Sequence, residues 1–293
     1  MNNLCELCPH KCNIDRSIYI GRCKAEDEIE IGGYSLHKFE EPCISCENGS
    51  GTVFFSKCNL SCVFCQNYEI SNLGYGRKID VNELSDIFIK QQENGAENIN
   101  LVSPTIYVDK IVDALKIAKE KGLKIPIVYN TNGYERVETL KKLNGLIDIY
   151  LPDLKYYYNN LGEKYSKVKN YFEIATEAIK EMYRQVGTPK FDKNGMIIKG
   201  LIIRHLVLPN NIDNTKKTLK WIKENIDSGV YVSVMMQYFP TYKAKEYEEI
   251  NRKINKAEYE EIENYIYELG IENGYMQDMP EENEEIYVPK WEY

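Results

Sequence analysis

The residues with the most chemical potential stand in "FFSKCNLSCVFCQNYEIS", where Cys58, Cys62 and Cys65 are spaced C-x3-C-x2-C. Thiolates are the usual ligands of iron–sulfur clusters, and a cubane cluster normally takes four. Closed structural zinc also wants four ligands. A loop that supplies three therefore suggests an iron with one position left open. Six further cysteines lie upstream and none downstream, so all nine fall in the first 65 residues. Cys5, Cys8, Cys12 and Cys23, as C-x2-C-x3-C-x10-C, place four thiols in a segment with little apolar core, which suits a metal-stapled knuckle. Zinc and an auxiliary iron–sulfur cluster that relays electrons both fit that set, with His10 a substitute ligand. Cys43 and Cys46 form another C-x-x-C. They complete an alternative set with Cys5 and Cys8, act as a redox pair, or stay free. An odd cysteine count without an apolar leader argues against a disulfide framework.

The elements that must position these residues follow from periodicity. After residue 50, β-branched runs at 51–56, 98–103, 124–130, 146–152, 197–209 and 229–239 alternate with amphipathic runs near 80–94, 107–121, 134–144, 163–186 and 212–226. Asn94-Gly95, Gly122, Gly145 and Gly229 punctuate them. Alternating βα units predict a parallel sheet, either an open doubly wound sheet or a curved incomplete barrel, with its site at the C-terminal ends of the strands. Cys58, Cys62 and Cys65 directly follow the first of those strands. A last helix is expected at 256–269, ahead of an irregular acidic tail. The expected divisions are a cysteine-rich extension at 1–48, the βα body at 49–240, and a helix with its tail at 241–293.

The cysteine spacing, with Phe64 aromatic before the last cysteine and the loop placed after strand one, resembles the radical S-adenosylmethionine superfamily. That resemblance implies an α/β partial (β/α)6 TIM-type barrel, here with an N-terminal cysteine-rich metal-binding extension and a C-terminal helix and tail. It also implies a [4Fe–4S] cluster on Cys58, Cys62 and Cys65 whose unique iron binds S-adenosylmethionine. Reductive cleavage of the sulfonium then gives a 5′-deoxyadenosyl radical that abstracts hydrogen. "YNTNGYE" is similar to the "DTNG" and "LPDLKYY" to the "LDLK" of pyruvate formate-lyase activating enzymes. By position, Asn130, Thr131 and Asp153 line the cofactor, and Lys155 lies near its carboxylate or the substrate. Asn130 replaces the relatives' Asp. "LVSPTIY" stands in place of their "GGEP", leaving Ser103 and Thr105 as uncharged acceptors. "IIRHLVLPN" is similar to their R-x-x-V-x-P-G, making Arg204 a candidate for a cofactor or substrate carboxylate. His205 alternates to the other face. Gln66, Asn67 and Tyr238 are expected at the mouth of the site. The combined pattern is similar to the PflX-like branch. The implied partners are a protein or peptide substrate, including a glycine of a glycyl radical enzyme, and an electron donor such as flavodoxin or ferredoxin. Radical modification of a small molecule and a non-catalytic metal-binding or maturation role are the alternatives.

Composition limits the rest. The net charge is −8, and residues 243–293 hold 15 Asp and Glu against 6 Lys and Arg. The acidity thus belongs to the C-terminal segment, and nothing in the chain favours phosphate-backbone binding, so no nucleic-acid partner is expected. No apolar run approaches membrane-spanning length, and a cytoplasmic location is expected.

Overall fold

In the computed structural model, which describes residues 4–279, the chain opens with a cysteine-bearing loop region and then forms strand β1 (Ile29–His37). A one-turn helix α1 (Pro42–Ser45), strand β2 (Ser50–Phe55), a second short helix α2 (Tyr68–Ser71) and strand β3 (Arg77–Ile79) follow. From α3 (Val81–Glu93) the chain alternates through β4 (Ile99–Val102), α4 (Val108–Glu120), β5 (Ile127–Thr131), α5 (Val137–Lys141) and β6 (Ile149–Pro152). Helix α6 (Asn159–Leu161) runs into a π-helical turn at Gly162–Ser166 and then α7 (Tyr171–Val186). Strands β7 (Lys190–Phe191) and β8 (Ile197–Leu206), helix α8 (Ile212–Asn225), β9 (Tyr231–Met235), α9 (Lys256–Leu269) and β10 (Gly274–Met276) complete the described fold.

Strands β2, β4, β5, β6, β8 and β9 lie side by side in chain order, and every pairing among them is parallel. These are the six strands that periodicity predicts. The sheet extends beyond them: β1 and β3 join antiparallel beyond β2, and β10 joins parallel beyond β9. Strand β1 escapes the sequence pattern because Gly32-Gly33 interrupts its apolar run, and β3 and β10 have three residues each. The helix expected from 163 begins only at Tyr171, since Lys167 and Asn170 take left-handed backbone conformations between the π turn and α7. The helix expected at 134–144 shrinks to Val137–Lys141, and the residues before it turn toward the site. Helix ends follow local chemistry. Asp80 caps α3 by accepting from the Glu83 amide, and Asn255 with Glu258 forms a capping box on α9. The end of the acidic tail, residues 280–293, lies outside the described residues.

The two faces of the sheet are covered differently. Tyr129, Tyr150, Leu201 and Ile203 turn toward the helices in the main core. Their neighbours Val128, Ile149, Leu151 and Ile202 turn the other way, where Cys43 and Ile44 of α1 pack on them. The segment joining β1 to β2 therefore runs across the face opposite the outer helices and closes one end of the interior. Ile44 is fully buried there, so truncating it to Ala costs about 2–5 kcal/mol.

Candidate functional site

The loop after β2 is held by backbone contacts from three directions. The Lys57 amide donates to the Ile70 carbonyl at 2.8 Å, Val63 to Tyr165 at 2.8 Å, and Ser61 to Ser166 at 3.1 Å. Leu60, Val63 and Phe64 are buried, with Phe64 edge-on to Tyr165 and Tyr238. Non-glycine residues in the left-handed region border the site at Lys57, Ser103 and Lys167. Such conformations persist only where surrounding contacts over-determine them.

Each of the three thiols has a polar partner. Asn132 Nδ2 donates to Cys58 Sγ at 3.3 Å, and the Leu60 amide points to the same sulfur at 3.4 Å. Cys62 Sγ lies 3.0 Å from Ser166 Oγ, and Cys65 Sγ lies 3.0 Å from Ser71 Oγ. Tyr156 Oη, fully buried, is 2.8 Å from Ser166 Oγ. A thiolate carries no proton, so once Cys62 is ionised the Ser166 hydrogen must go to it and Tyr156 must donate to Ser166. Burial pushes the Cys58 thiol up to about 12 and Cys65 to about 11, and raises Cys62 as well. A bound metal ion favours the thiolate form of all three.

All three thiols line a cavity of about 320 Å³. Phe64, Gln66, Asn67, Ser103, Asn130, Thr131, Asp153, Lys155 and Arg204 line it too, which brings together nearly all of the residues expected at the cofactor. Lys155 Nζ is ion-paired with Asp153, both side chains being largely buried. Desolvation alone lowers the Lys155 ammonium, but Asp153 and the neighbouring thiols outweigh it and hold it above its ordinary value. Gly133 allows the loop after β5 to approach: its φ is +79°, and a Cβ there would lie 2.2 Å from the Asp153 carbonyl oxygen.

Two expected residues stand elsewhere, and a third is already engaged. Thr105 is buried outside the cavity lining, and its hydroxyl donates to Glu135 Oε1 at 2.6 Å. Thr131 and Tyr129 donate to the same oxygen at 2.5 and 3.2 Å, so the Thr131 hydroxyl is also engaged. Burial pushes Glu135 up to about 7 despite these three donors. Tyr238 is buried behind Phe64, with its hydroxyl donating to the Ile250 carbonyl at 2.7 Å. Arg204 does reach the cavity, but its fork is taken: Nε and Nη2 donate to Glu41 at 2.7 and 2.5 Å, and Nη2 also meets Glu40. Asn100 Nδ2 donates to Glu40 from β4 at 2.9 Å. The guanidinium is therefore a partner for this chain's own carboxylates. His205, on the other face, is fully buried; Nδ1 donates to the Leu154 carbonyl and Nε2 accepts from Thr215.

Sequence reasoning missed Glu40, Glu41, Ser71, Asn132, Glu135 and Ser166. Ser71 and Asn132 lie inside stretches singled out for other residues. Glu40 and Ser166 carry no local signal, because their partners are far away in the chain.

The upstream cysteines form a separate group. Cys8 is buried within electrostatic reach of Cys5, Cys12 and Cys23, and burial pushes its thiol up to about 12. The Arg22 amide points to Cys12 Sγ at 3.4 Å. His10 Nε2 donates to the Asn59 carbonyl at 2.8 Å, next to Cys58, and its ring packs against Tyr134. Cys43 is buried in the interior cluster while Cys46 is exposed, and all nine cysteines are unbridged. Among the described residues, no three or more His, Cys, Asp or Glu side chains are grouped so as to hold a metal ion.

An ordered set of six parallel strands with a three-thiol loop after the first defines a barrel-type α/β protein whose site lies at its strand ends. Residues 52–201 match the radical SAM superfamily. The chain is 37% identical over 271 residues to an uncharacterized protein of Methanocaldococcus jannaschii, covering 88% of this chain and 72% of that one. It is 24% identical over 235 residues to the pyruvate formate-lyase-activating enzyme of Clostridium pasteurianum, covering 74% of this chain and 90% of that one. Among solved structures, Streptococcus suis SuiB bound to its precursor peptide SuiA superposes with a TM-score of 0.53 at 18% identity, over 76% of this chain and 47% of that chain. The chain thus spans about half the length of that structure, and the likeness is one of fold, the partial barrel. This protein belongs to the radical SAM superfamily of enzymes and is similar to an activating enzyme. The family implies a [4Fe–4S] cluster and S-adenosylmethionine, and the residues fit them: three thiols share one cavity, each with its own polar partner. Among the described residues, no helix is long and apolar enough to cross a membrane.

Proposed function

We propose that this enzyme cleaves S-adenosylmethionine reductively and uses the resulting radical to take hydrogen from a protein or peptide substrate, as a PflX-like relative of the activating enzymes. The observation that carries this reading is the convergence of Cys58, Cys62 and Cys65 on one cavity with Asp153 and Lys155. Bound there, the cluster and S-adenosylmethionine together supply one-electron chemistry that no side chain can provide. The chain's own residues bind and orient. Cys58, Cys62 and Cys65 hold the cluster; Asn132, Ser166 and Ser71 hydrogen-bond their sulfurs. Asn130, Ser103 and the Asp153–Lys155 pair face the polar groups of the cofactor, and Phe64 with Leu60 excludes water from the loop.

Cavity size supports a peptide-like substrate. About 320 Å³ is at the small end for a drug-sized ligand, so with the cofactor seated there is room for only a short reacting segment. A loop or chain end, such as a glycine to be activated, meets that limit. The names of the relatives, a pyruvate formate-lyase-activating enzyme and a peptide-bound SuiB, support the same class. The four upstream thiols take a second metal, zinc or an auxiliary cluster. The chain is read as a cysteine-rich metal-binding extension at 1–48, a catalytic body at 49–240, and a C-terminal helix with an acidic tail at 241–293. Anaerobic reconstitution with iron and sulfide, followed by dithionite and S-adenosylmethionine, releases 5′-deoxyadenosine; Cys58→Ala abolishes it. Release by the Cys58→Ala protein at the parent rate would overturn the reading.

A further inference from the structure

We propose that His10, in the N-terminal cysteine segment, is a positioning residue for the cluster at Cys58, Cys62 and Cys65: its ring N–H acts through one backbone peptide group on the hydrogen bond to Cys58, and so helps set the potential at which the cluster is reduced. This rests on the radical SAM reading above. Cys58 Sγ faces the backbone N–H of Leu60 at 3.4 Å. The carbonyl of that same peptide group belongs to Asn59, and His10 Nε2 donates to it at 2.8 Å. A carbonyl only accepts, so Nε2 carries the hydrogen. Among the described residues, no other group donates to that oxygen. The peptide group is planar, so holding its oxygen fixes the direction of its N–H. A hydrogen bond accepted by the carbonyl also polarises the group and strengthens the bond that its N–H donates. Both effects end on the sulfur, although His10 does not line the cavity.

The side chains around this peptide are fixed without help from His10. Asn59 Nδ2 donates to the Tyr134 carbonyl at 2.7 Å, and Asn59 Oδ1 accepts from Asn132 Nδ2 at 2.8 Å. Asn132 Oδ1 accepts in turn from the Tyr134 amide at 2.9 Å. Asn59, Asn132 and Tyr134 are all buried, and their bonds close a ring that joins the loop after β2 to the loop after β5. Loss of the His10 donor therefore leaves the Asn132 bond to Cys58 in place and loosens only the Asn59–Leu60 peptide. His10 is held by its own segment. Its ring packs against Tyr134 with centroids 5.6 Å apart, and the Lys11 amide donates to the Cys8 carbonyl at 3.1 Å to close the turn around it. Two further bonds seat the segment on the body: Arg22 Nη2 donates to the Lys167 carbonyl at 2.7 Å, and Glu6 pairs with Arg136 at 2.9 Å. An N–H aimed at a cluster sulfur favours the more negative, reduced state, so His10 raises the potential.

The test is an EPR-monitored redox titration of the reconstituted full-length protein, reading the cluster signal that S-adenosylmethionine perturbs. His10→Phe keeps a ring against Tyr134 and removes the donor. The reduced-to-oxidised ratio at a fixed potential is expected to fall about twofold, equivalent to about 18 mV for a one-electron couple. His10→Gln places an amide N–H near the position of Nε2 and is expected to restore most of that ratio. A His10→Phe ratio equal to the parent's overturns the proposal. An equal fall in His10→Gln also overturns it, because the effect then belongs to ring packing. If His10→Phe loses its iron, His10→Asn, polar but too short to reach the carbonyl, decides in the same way. A parent protein in which no cluster signal responds to S-adenosylmethionine strikes the functional reading instead, and the two failures are told apart.

Discussion

Replacing Arg204 with Met removes the one guanidinium that faces two carboxylates inside the barrel. The side chains of Arg204, Glu40 and Glu41 are 12%, 8% and 5% exposed, so the charges left behind have little water. Breaking a buried pair by deleting one partner costs about 3–5 kcal/mol. In a chain of this size that lowers the melting midpoint by about 10 °C. The pH dependence fixes the cause. Burial alone would raise the Glu41 carboxyl, but the charge and hydrogen bonds of Arg204 outweigh it and hold it below the usual carboxylate range. Its contribution is therefore present above the unfolded value of about 4.3 and is lost as pH falls further. In Arg204→Met the sign reverses: a carboxyl without its cation is raised, and the variant gains on the parent as pH drops from 7 toward 5. Melting of the reconstituted protein under anaerobic conditions, followed by intrinsic fluorescence at several pH values, reads this directly. Adding Glu40→Gln and Glu41→Gln to Arg204→Met restores much of the loss, because both orphaned charges are gone. The refuting result is a midpoint within about 2 °C of the parent, with the main defect in S-adenosylmethionine affinity by calorimetry. That outcome would mean Arg204 serves a ligand carboxylate after all.

Other expectations concern the thiols and the buried acid. Ser166→Ala removes a hydrogen bond that stabilises the more negative, reduced cluster; the reduced-to-oxidised ratio at a fixed potential falls about threefold, equivalent to about 28 mV for a one-electron couple. Tyr156→Phe shifts the potential the same way by less, and an EPR-monitored redox titration measures both. Glu135, raised to about 7 by burial, favours folding fully below its unfolded value, and about 3 kcal/mol of that contribution is lost as pH rises to 7. Glu135→Gln abolishes this fall, as denaturant titrations at pH 5 and pH 7.5 will show. Cys8→Ser lowers metal per chain and leaves the spectrum of the Cys58-bound cluster in place, which elemental analysis beside absorbance spectra checks.

The residues that sequence reasoning located are those whose constraint is local. Leu84, Ile87 and Phe88 recur at helical spacing and are buried in α3, and the six apolar runs became the six parallel strands. Cys58, Cys62 and Cys65 are legible because eight residues contain the whole pattern. Arg204 shows the limit. Its place at a strand end was readable, but its occupation by Glu41 depends on a contact across 163 positions. Ser166 is 104 positions from Cys62 and sits in a π turn with no periodic signature of its own. Thr105 misled for a physical reason: a hydroxyl after a strand has several directions open to it, and the buried carboxylate of Glu135 chose one.

The link from Glu41 to Arg204 also bears on the order of assembly. Loop closure over 163 residues cannot precede the synthesis of β8, and long-range closures of this kind form slowly. Until then Ile197 and Ile202 are missing from the cluster that Cys43 and Ile44 join, and α1 has only Val128, Ile149 and Leu151 of the earlier strands to pack on. The cysteine loop after β2 leaves the ribosome earlier and stays open on its inner side through that interval. Nascent chains of this protein therefore pass through a stage in which the cluster thiols are reachable from the side that the native fold closes. Those thiols have their widest access before α1 docks.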